Sequence, residues 1–444
     1  MSALARFFIS ENKNVAGYDR IETEITDELK KIDIKIHFDD NIELINKQFL
    51  DNKNTLIIYT PAIPKEHSEL NYFKNNGFKI YKRAEILGEI ANSKKGIAVA
   101  GTHGKTTISS MISHILKTSS QGCNAFLGGI AKNYNSNFIL SDNSENIVVE
   151  ADEFDRSFLR LFPFAAVISS IDADHLDIYG DKNELVNSFN IFANQVNNNG
   201  FVVVKNTIFD KINTKVRKIN YSLNDSKSDV YAENIKKQKN NLYSFDCCYF
   251  DETIKNISLG FPALHNVENA VAAIAVCKTL GIKNNEISEA LKTFEGIKRR
   301  FDLQINNKKI VFIDDYAHHP EELKSTITSV RSIYDNKKIT GIFQPHLYSR
   351  TKDFAYGFAE ALELLDEVIL LDIYPARELP INGVTSKIIF DKIKNKNKTL
   401  ITKDKLLNLI NERNDFQVLI TLGAGDIDKL VKPVKKILIK NYKL

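Results

Sequence analysis

The chain has 444 residues, room for about three domains at roughly 150 residues each, and its 43% hydrophobic and 26% charged content excludes a disordered polymer. Its 60 Lys+Arg against 56 Asp+Glu leave a net charge of +4, spread thinly, which excludes the concentrated basic stripe of a nucleic-acid binder. No apolar run reaches the roughly 18 residues that a membrane-spanning helix needs.

The opening segment MSALARFFISENKN has no basic stretch before its apolar residues and no cleavage site, so it does not read as a secretory signal. Before residue 93, VAGYD (15–19), IKIHF (34–38) and TLIIYT (55–60) read as strands between helical patterns, and Pro61 and Pro64 break the chain after the third. GIAVA (96–100) is the next strand. A Gly-rich turn follows, then a helix with Ile108, Met111, Ile112, Ile115 and Leu116 on one face. NIVVEAD, AAVISSID and FVVVK give three more buried strands, and the polar stretch 205–258 reads as a smaller antiparallel piece. Helices over 268–280 and 286–294 lead to Gly296, a boundary. KIVFIDD, KITGIFQPH, EVILLDIYP and FQVLITLG then restart the alternation. Strands alternating with helices define an α/β fold with parallel sheets, and cuts near 93 and 296 divide it into units 1–93, 94–296 and 297–444. Cys123, Cys247, Cys248 and Cys277 form neither a zinc pattern nor a disulfide framework, which suits a reducing compartment.

The strongest chemical signal is Gly101-Thr102-His103-Gly104-Lys105-Thr106-Thr107, after one strand and opening one helix. Such a turn aims backbone N–H groups and a helix N-terminus at an anion, with Lys105 reaching the terminal phosphates and Thr106 a Mg²⁺ ion. The full phosphate loop has four residues between its glycines; here Gly101 lies three before Gly104, a shortened variant. Two acidic clusters end strands: Glu150, Asp152, Glu153 and Asp155, then Asp172, Asp174, His175 and Asp177. After a phosphate loop they read as Mg²⁺ positions; alone, either also reads as a solvated loop or a helix cap, and His175 as a hydrogen-bonded loop histidine. His265, Asn266 and Asn269 lie at a helix start, where they either cap it or meet a nucleotide. Arg299 and Arg300 stand at the second cut; Tyr316, His318 and His319 follow one strand, and His346 and Arg350 the next. Neighbours in an extended segment point opposite ways, so His318 and His319 do not share a metal.

In this order, GTHGKTT, EADEFDRSFL, DADHLDIYG, HNVENAVAA, RRFD, DDYAHHP, QPHLYSRT and LGAGD resemble the Mur ligases, from residue 1 to about 430. The resemblance implies a Rossmann-like N-terminal domain for a UDP-linked substrate, a central P-loop ATPase-type domain, and a Rossmann-like C-terminal domain closing on an amino acid. It implies ATP contacts at residues 101–107, His265, Asn266, Asn269 and Tyr316. Thr106, Glu150 and His175 would hold Mg²⁺; Arg300 would reach the phosphates on closure; His318 and Arg350 would face the muramate carboxylate and alanine. Lys105, His175, Arg300, His318 and Arg350 are thus the expected catalytic set, with Glu153 mattering less than Glu150. The implied reaction is ATP-dependent joining of L-alanine to the lactyl carboxylate of UDP-N-acetylmuramate, in the cytoplasm, by a monomer or weak homodimer that takes neither nucleic acid nor membrane. Asn183 to Gly200 holds no lysine, unlike the corresponding helix of the siblings that add later amino acids.

The chain departs from the pattern twice. The family's opening strand and Gly-rich turn precede a segment like MSALARFF, so the working protein is expected to extend upstream by about 15–20 residues. Pro262-Ala263 replaces the family's proline-glycine. Three other readings compete: a ligase recycling a whole tripeptide onto the same nucleotide, a non-catalytic nucleotide-binding relative, and a dinucleotide oxidoreductase, for which no full GxGxxG follows a strand.

Overall fold

The computed structural model describes residues 1–142, 144–172, 179, 181–238, 241–376 and 378–444. They form two compact units: Met1–Ile235 with Phe245–Ser258 and Glu268–Phe294, and Lys236–Ser244 with Leu259–Val267 and Glu295–Leu444.

The first unit opens with the helix Ser2–Ser10, which buries Leu4. Strands β1 (Ala16–Tyr18) and β2 (Lys35–His37) pair in parallel, as do β3 (Leu56–Tyr59) and β4 (Lys79–Lys82), in two separate two-stranded sheets. All three strands expected before residue 93 are present. Their side chains are largely exposed or half-buried.

The larger sheet contains β5 (Lys95–Ala100), β6 (Asn124–Ala131), β7 (Ser136–Ile139), β8 (Asn146–Glu150), β9 (Ala165–Ile168), β10 (Phe201–Lys205), β11 (Arg217–Ser222), β12 (Val230–Lys237), β13 (Tyr243–Tyr249) and β14 (Glu252–Leu259). Its order is β14-β13-β12-β11-β10-β9-β5-β8-β6-β7. Strand β5 runs parallel between β8 and β9 and buries Gly96 to Ala100, as a strand covered on both faces must. The stretch 205–258 is not a separate antiparallel piece: β11 pairs in parallel with β10, and β12 with β11. Short alternating runs told strand from helix there but carried no information about direction.

The helix Lys105–Thr118 buries the five apolar residues expected, and also Ser109, Ser110, Ser113 and His114. Ser109 and Ser113 tolerate burial because they turn their hydroxyls onto the helix's own carbonyls. Ser109 Oγ donates to Thr106 O (3.1 Å) and Ser113 Oγ to Ser109 O (2.6 Å).

The second unit is built on β15 (Asp302–Asn306), β16 (Val311–Asp315), β17 (Ile339–Phe343), β18 (Glu367–Leu370), β19 (Lys398–Leu400) and β20 (Val418–Leu422), ordered β15-β16-β20-β17-β18-β19. Only β15 is antiparallel in this sheet. The carboxyl ends of β16, β20 and β17 are therefore neighbours, and DDYAHHP, LGAGD and QPHLYSRT leave the sheet side by side, where open α/β sheets bind ligands. All four cysteines are free and buried. Among the described residues, no helix is long and apolar enough to cross a membrane.

Candidate functional site

Strand β5 ends at Ala100, and the chain turns through Gly101 (φ 132°) and Gly104 (φ 80°) into the helix at Lys105. A Cβ on Gly101 would lie 2.3 Å from Ser169 Oγ and 2.9 Å from the Ser170 nitrogen, so the turn passes β9's end only as glycine. Both serines pin the loop. Ser170 Oγ accepts from His103 N (2.8 Å) and bonds Thr102 Oγ1 (2.9 Å), while Ser169 Oγ donates to His103 O. Asn269 reaches the same loop, its Oδ1 standing 3.0 Å from where a Gly104 Cβ would be. The N-cap residue of this 14-residue helix, Gly104, offers no side chain to cap the first-turn amides, which suits an anion as their partner. Thr106 and Thr107 are buried behind the loop.

Lys105 Nζ donates to Gly101 O (2.7 Å) and to both carboxylate oxygens of Glu153 (2.8 Å each). Glu153, expected to matter less than Glu150, is 1% exposed and is the lysine's partner. Burial disfavours the ammonium, but Glu153, Glu150 and Asp152 outweigh it and the Lys105 pKa rises. Burial likewise pushes the Glu153 carboxyl up, against the pull of Lys105.

Thr106 Oγ1 donates to Glu150 Oε2 (2.9 Å), which also accepts from Gly128 N (3.0 Å). A hydroxyl and a carboxylate touching beside the anion-binding turn are a fitting donor set for a hard cation. Among the described residues, no group of three or more His, Cys, Asp or Glu converges on a metal position. Two protein oxygens with phosphate and water completing the shell is the usual Mg²⁺ arrangement, so the residues fit that ion. His175, expected as a second metal ligand, lies outside the described residues, as do Asp174 and Asp177.

A second constellation sits at the carboxyl end of the other sheet. Asp315, fully buried in β16, accepts from Phe301 N (2.6 Å), Ala317 N (2.8 Å) and Thr326 Oγ1 (3.3 Å). It thereby clamps the RRFD turn, whose Arg299 (φ 63°) and Phe301 (φ 44°) are left-handed. Burial pushes the Asp315 pKa up and that of Asp314 up to about 6, despite nearby arginines. Arg299 bonds Gly423 O (2.6 Å) and approaches Asp314 (3.3 Å); Arg300 lies 3.6 Å from Glu322, and both guanidiniums sit 5.1 Å from the Tyr316 ring. Burial, with the Arg300 charge adding to it, holds His265, which meets Ser329 Oγ at 3.1 Å, down to about 4.

His318 faces Tyr316 and His346, with ring centroids 5.2 and 5.9 Å apart, whereas buried His319 packs on Phe354. The two neighbours diverge as expected. His346 stacks on Tyr374, and Arg350 lies on the short helix Tyr348–Asp353 after β17. Asn266 turns its amide onto Pro262 O (2.6 Å) within the helix start, a local structural bond. The adjoining Ala263 is buried at φ 79°, a conformation glycine adopts freely and alanine does not. The Pro-Ala departure therefore falls where glycine fits best. Sequence reasoning missed Glu153 as the lysine's partner, Asp315 as a clamp and Gly128 beneath Glu150. Only the Asp314-Asp315 doublet at a strand end carried a signal.

Family models match three consecutive stretches: "Mur ligase family, catalytic domain" over residues 1–95, "Mur ligase middle domain" over 99–277 and "Mur ligase, glutamate ligase domain" over 299–425. UDP-N-acetylmuramate–L-alanine ligase of Parabacteroides distasonis is 49% identical over 445 residues, covering 100% of this chain and 96% of that protein. The protein of the same name from Porphyromonas gingivalis is 49% identical over 440 residues, covering 99% and 96%. Among solved structures, UDP-N-acetylmuramate–alanine ligase of Thermotoga maritima superposes with a TM-score of 0.83 at 26% identity, covering 100% of this chain and 96% of that one. A murein peptide ligase of Psychrobacter arcticus shares the fold alone, with a TM-score of 0.71 at 21% identity and coverage of 99% and 96%. With its ordered motifs, three matched family models and close relatives along its whole length, the chain belongs to the Mur ligase family.

Proposed function

We propose that the chain is an ATP-dependent ligase that joins L-alanine to the lactyl carboxylate of UDP-N-acetylmuramate, an early step in building peptidoglycan precursors. One observation carries the reading. A phosphate-type turn presents Lys105 and a glycine-started helix N-terminus beside the Thr106–Glu150 pair. It lies in a chain 49% identical to relatives named for this reaction.

A free carboxylate does not condense with an amine at neutral pH, because hydroxide is a poor leaving group. Transfer of the γ-phosphoryl group to the lactyl carboxylate makes an acyl phosphate. The alanine amine then attacks the carbonyl, and the tetrahedral intermediate collapses to amide and phosphate. The protein's part is positioning and charge stabilisation. In this reading Lys105 and the amides of residues 101–107 hold the β- and γ-phosphates. His265, Asn266, Asn269 and Tyr316 contact ATP, and Arg300 the developing phosphate charge. His318 and Arg350 orient the muramate carboxylate and alanine. Thr106, Glu150 and His175 would hold Mg²⁺, which when bound neutralises phosphate oxygens. Residues 1–93, 94–296 and 297–444 would serve as substrate, ATP and closing domains, and the reaction would take place in the cytoplasm.

The test is ADP release with UDP-N-acetylmuramate and ATP, adding L-alanine, other single amino acids, or a tripeptide. Turnover with L-alanine alone is expected. Turnover with the tripeptide alone would reassign the chain as a recycling ligase, and ADP release with neither would remove the ligase reading.

A further inference from the structure

Glu153 is fully buried, yet both of its oxygens are given to one ammonium group that must serve another partner. Its backbone is fixed independently. The Glu153 carbonyl accepts from Tyr179 Oη (2.5 Å) and from Arg156 N (3.0 Å). The next helical turn is tied back through Phe158 N to Asp152 O (2.9 Å). Lys105 in turn is tethered at the helix start and bonded to Gly101 O. The ammonium therefore has a two-oxygen anionic seat already built at the mouth of the anion-binding turn. An incoming phosphate brings the same chemistry: anionic oxygens about 2.8 Å from a lysine nitrogen.

We propose that Glu153 is a positioning residue that acts as an intramolecular competitor of the nucleotide phosphates: it seats Lys105 while the turn is empty and yields the ammonium when phosphate arrives. This rests on the ATP reading above and goes beyond it by giving Glu153 a role in nucleotide affinity. The pairing also stops a buried lysine from standing uncompensated when no nucleotide is bound, at the cost of weaker nucleotide binding. Glu153 touches neither substrate nor reacting atoms in this scheme. It acts through Lys105.

The consequence runs against the usual result of cutting a site residue. Replacing the competitor with a neutral isostere leaves Lys105 seeking an anion, so nucleotide should bind more tightly. The experiment is calorimetric titration of the full chain, parent and Glu153→Gln, with ADP and a non-hydrolysable ATP analogue in Mg²⁺. Alongside it, KM for each substrate is measured. Glu153→Gln is expected to tighten the nucleotide Kd by about fivefold or more and to lower KM for ATP, with the other KM values unchanged. Glu153→Asp, one carbon shorter, should move the same way by less. Equal or weaker nucleotide binding by Glu153→Gln overturns the proposal, as does a rise in all KM values together, the mark of a merely structural residue. Should Glu153→Gln fail to fold, Glu153→Asp decides, and binding no tighter than the parent's overturns the idea. Absence of nucleotide binding by the parent instead removes the ATP reading, and the competitor with it.

Discussion

Glycine 128 offers a way to displace the proposed cation ligand without touching it. It lies in the irregular stretch of β6 between Phe126 and Ala131, but its φ is outside the left-handed region, so alanine there meets no left-handed strain. An added Cβ, however, would lie 2.3 Å from Glu150 Oε2, 2.7 Å from its Cδ and 2.8 Å from Oε1. The carboxylate is the mobile end of a side chain and will give way, moving back by about 1 Å to reach ordinary contact near 3.5 Å. That breaks the 2.9 Å bond from Thr106 Oγ1 and carries the carboxylate well outside the roughly 0.2 Å tolerance of a metal–oxygen distance. The fold should lose only the net worth of one or two hydrogen bonds, about 1–2 kcal/mol. Activity should fall about 10–100-fold, with the Mg²⁺ concentration for half-activity rising correspondingly, because a displaced ligand weakens the ion rather than abolishing its site. The assay is ADP release across a Mg²⁺ titration for parent and Gly128→Ala, with thermal melts of both. A variant that keeps the parent's Mg²⁺ curve would refute Glu150 as a ligand. A variant that melts far lower would show the steric clash being relieved by the backbone instead.

Lys105→Ala should lose about 30–1000-fold in ATP turnover, or ~2–4 kcal/mol of transition-state stabilisation, and because it leaves Glu153 buried without its cation the assay is run beside a thermal melt; near-parental ADP release would sink the phosphate-loop assignment. Ala263→Gly should raise stability by about 0.5–1 kcal/mol in urea unfolding, since relief of a left-handed alanine (~1–2 kcal/mol) outweighs the extra unfolded-state entropy of glycine; a destabilised variant contradicts this. His114, buried between Tyr134 Oη (2.7 Å) and Thr293 Oγ1 (3.1 Å), is held down to about 4 by burial, below its ordinary 6.5. Its contribution is therefore complete above pH 6.5 and lost as pH falls toward 4, by up to about 3 kcal/mol. Asp314, raised to about 6 by burial, works in the opposite sense, so the test is the difference between parent and His114→Gln: from pH 6.5 to 4 the parent should lose up to about 3 kcal/mol relative to the variant, and the difference should then level off. Arg350→Ala should raise KM for UDP-N-acetylmuramate or alanine more than for ATP in steady-state kinetics; a selective loss of ATP affinity would move Arg350 to the nucleotide site.

What the sequence determined alone was what depends on near neighbours. Short continuous apolar runs placed β5, β8 and β9, and period-3.6 patterning placed the helix Lys105–Thr118, because burial leaves a local imprint. The anion-binding turn was equally legible, since its parts lie within seven residues and two of them must be glycine for φ reasons. The opposite facing of His318 and His319 followed from extended backbone alone. Tertiary structure decided the pairings between distant segments. Glu153 meets Lys105 across 48 positions, Gly128 lies under Glu150 across 22, and Arg299 reaches Gly423 across 124. The parallel direction of β11 and β12 belongs to the same class, for strand direction is set by how a connection crosses the sheet rather than by residues in the strand. Burial of Thr106–Leu116 on every face of the helix Lys105–Thr118 likewise came from what packs around it: Ser109 and Ser113 satisfy their hydroxyls on the helix itself and so tolerate a place that hydrophobicity alone would not assign them.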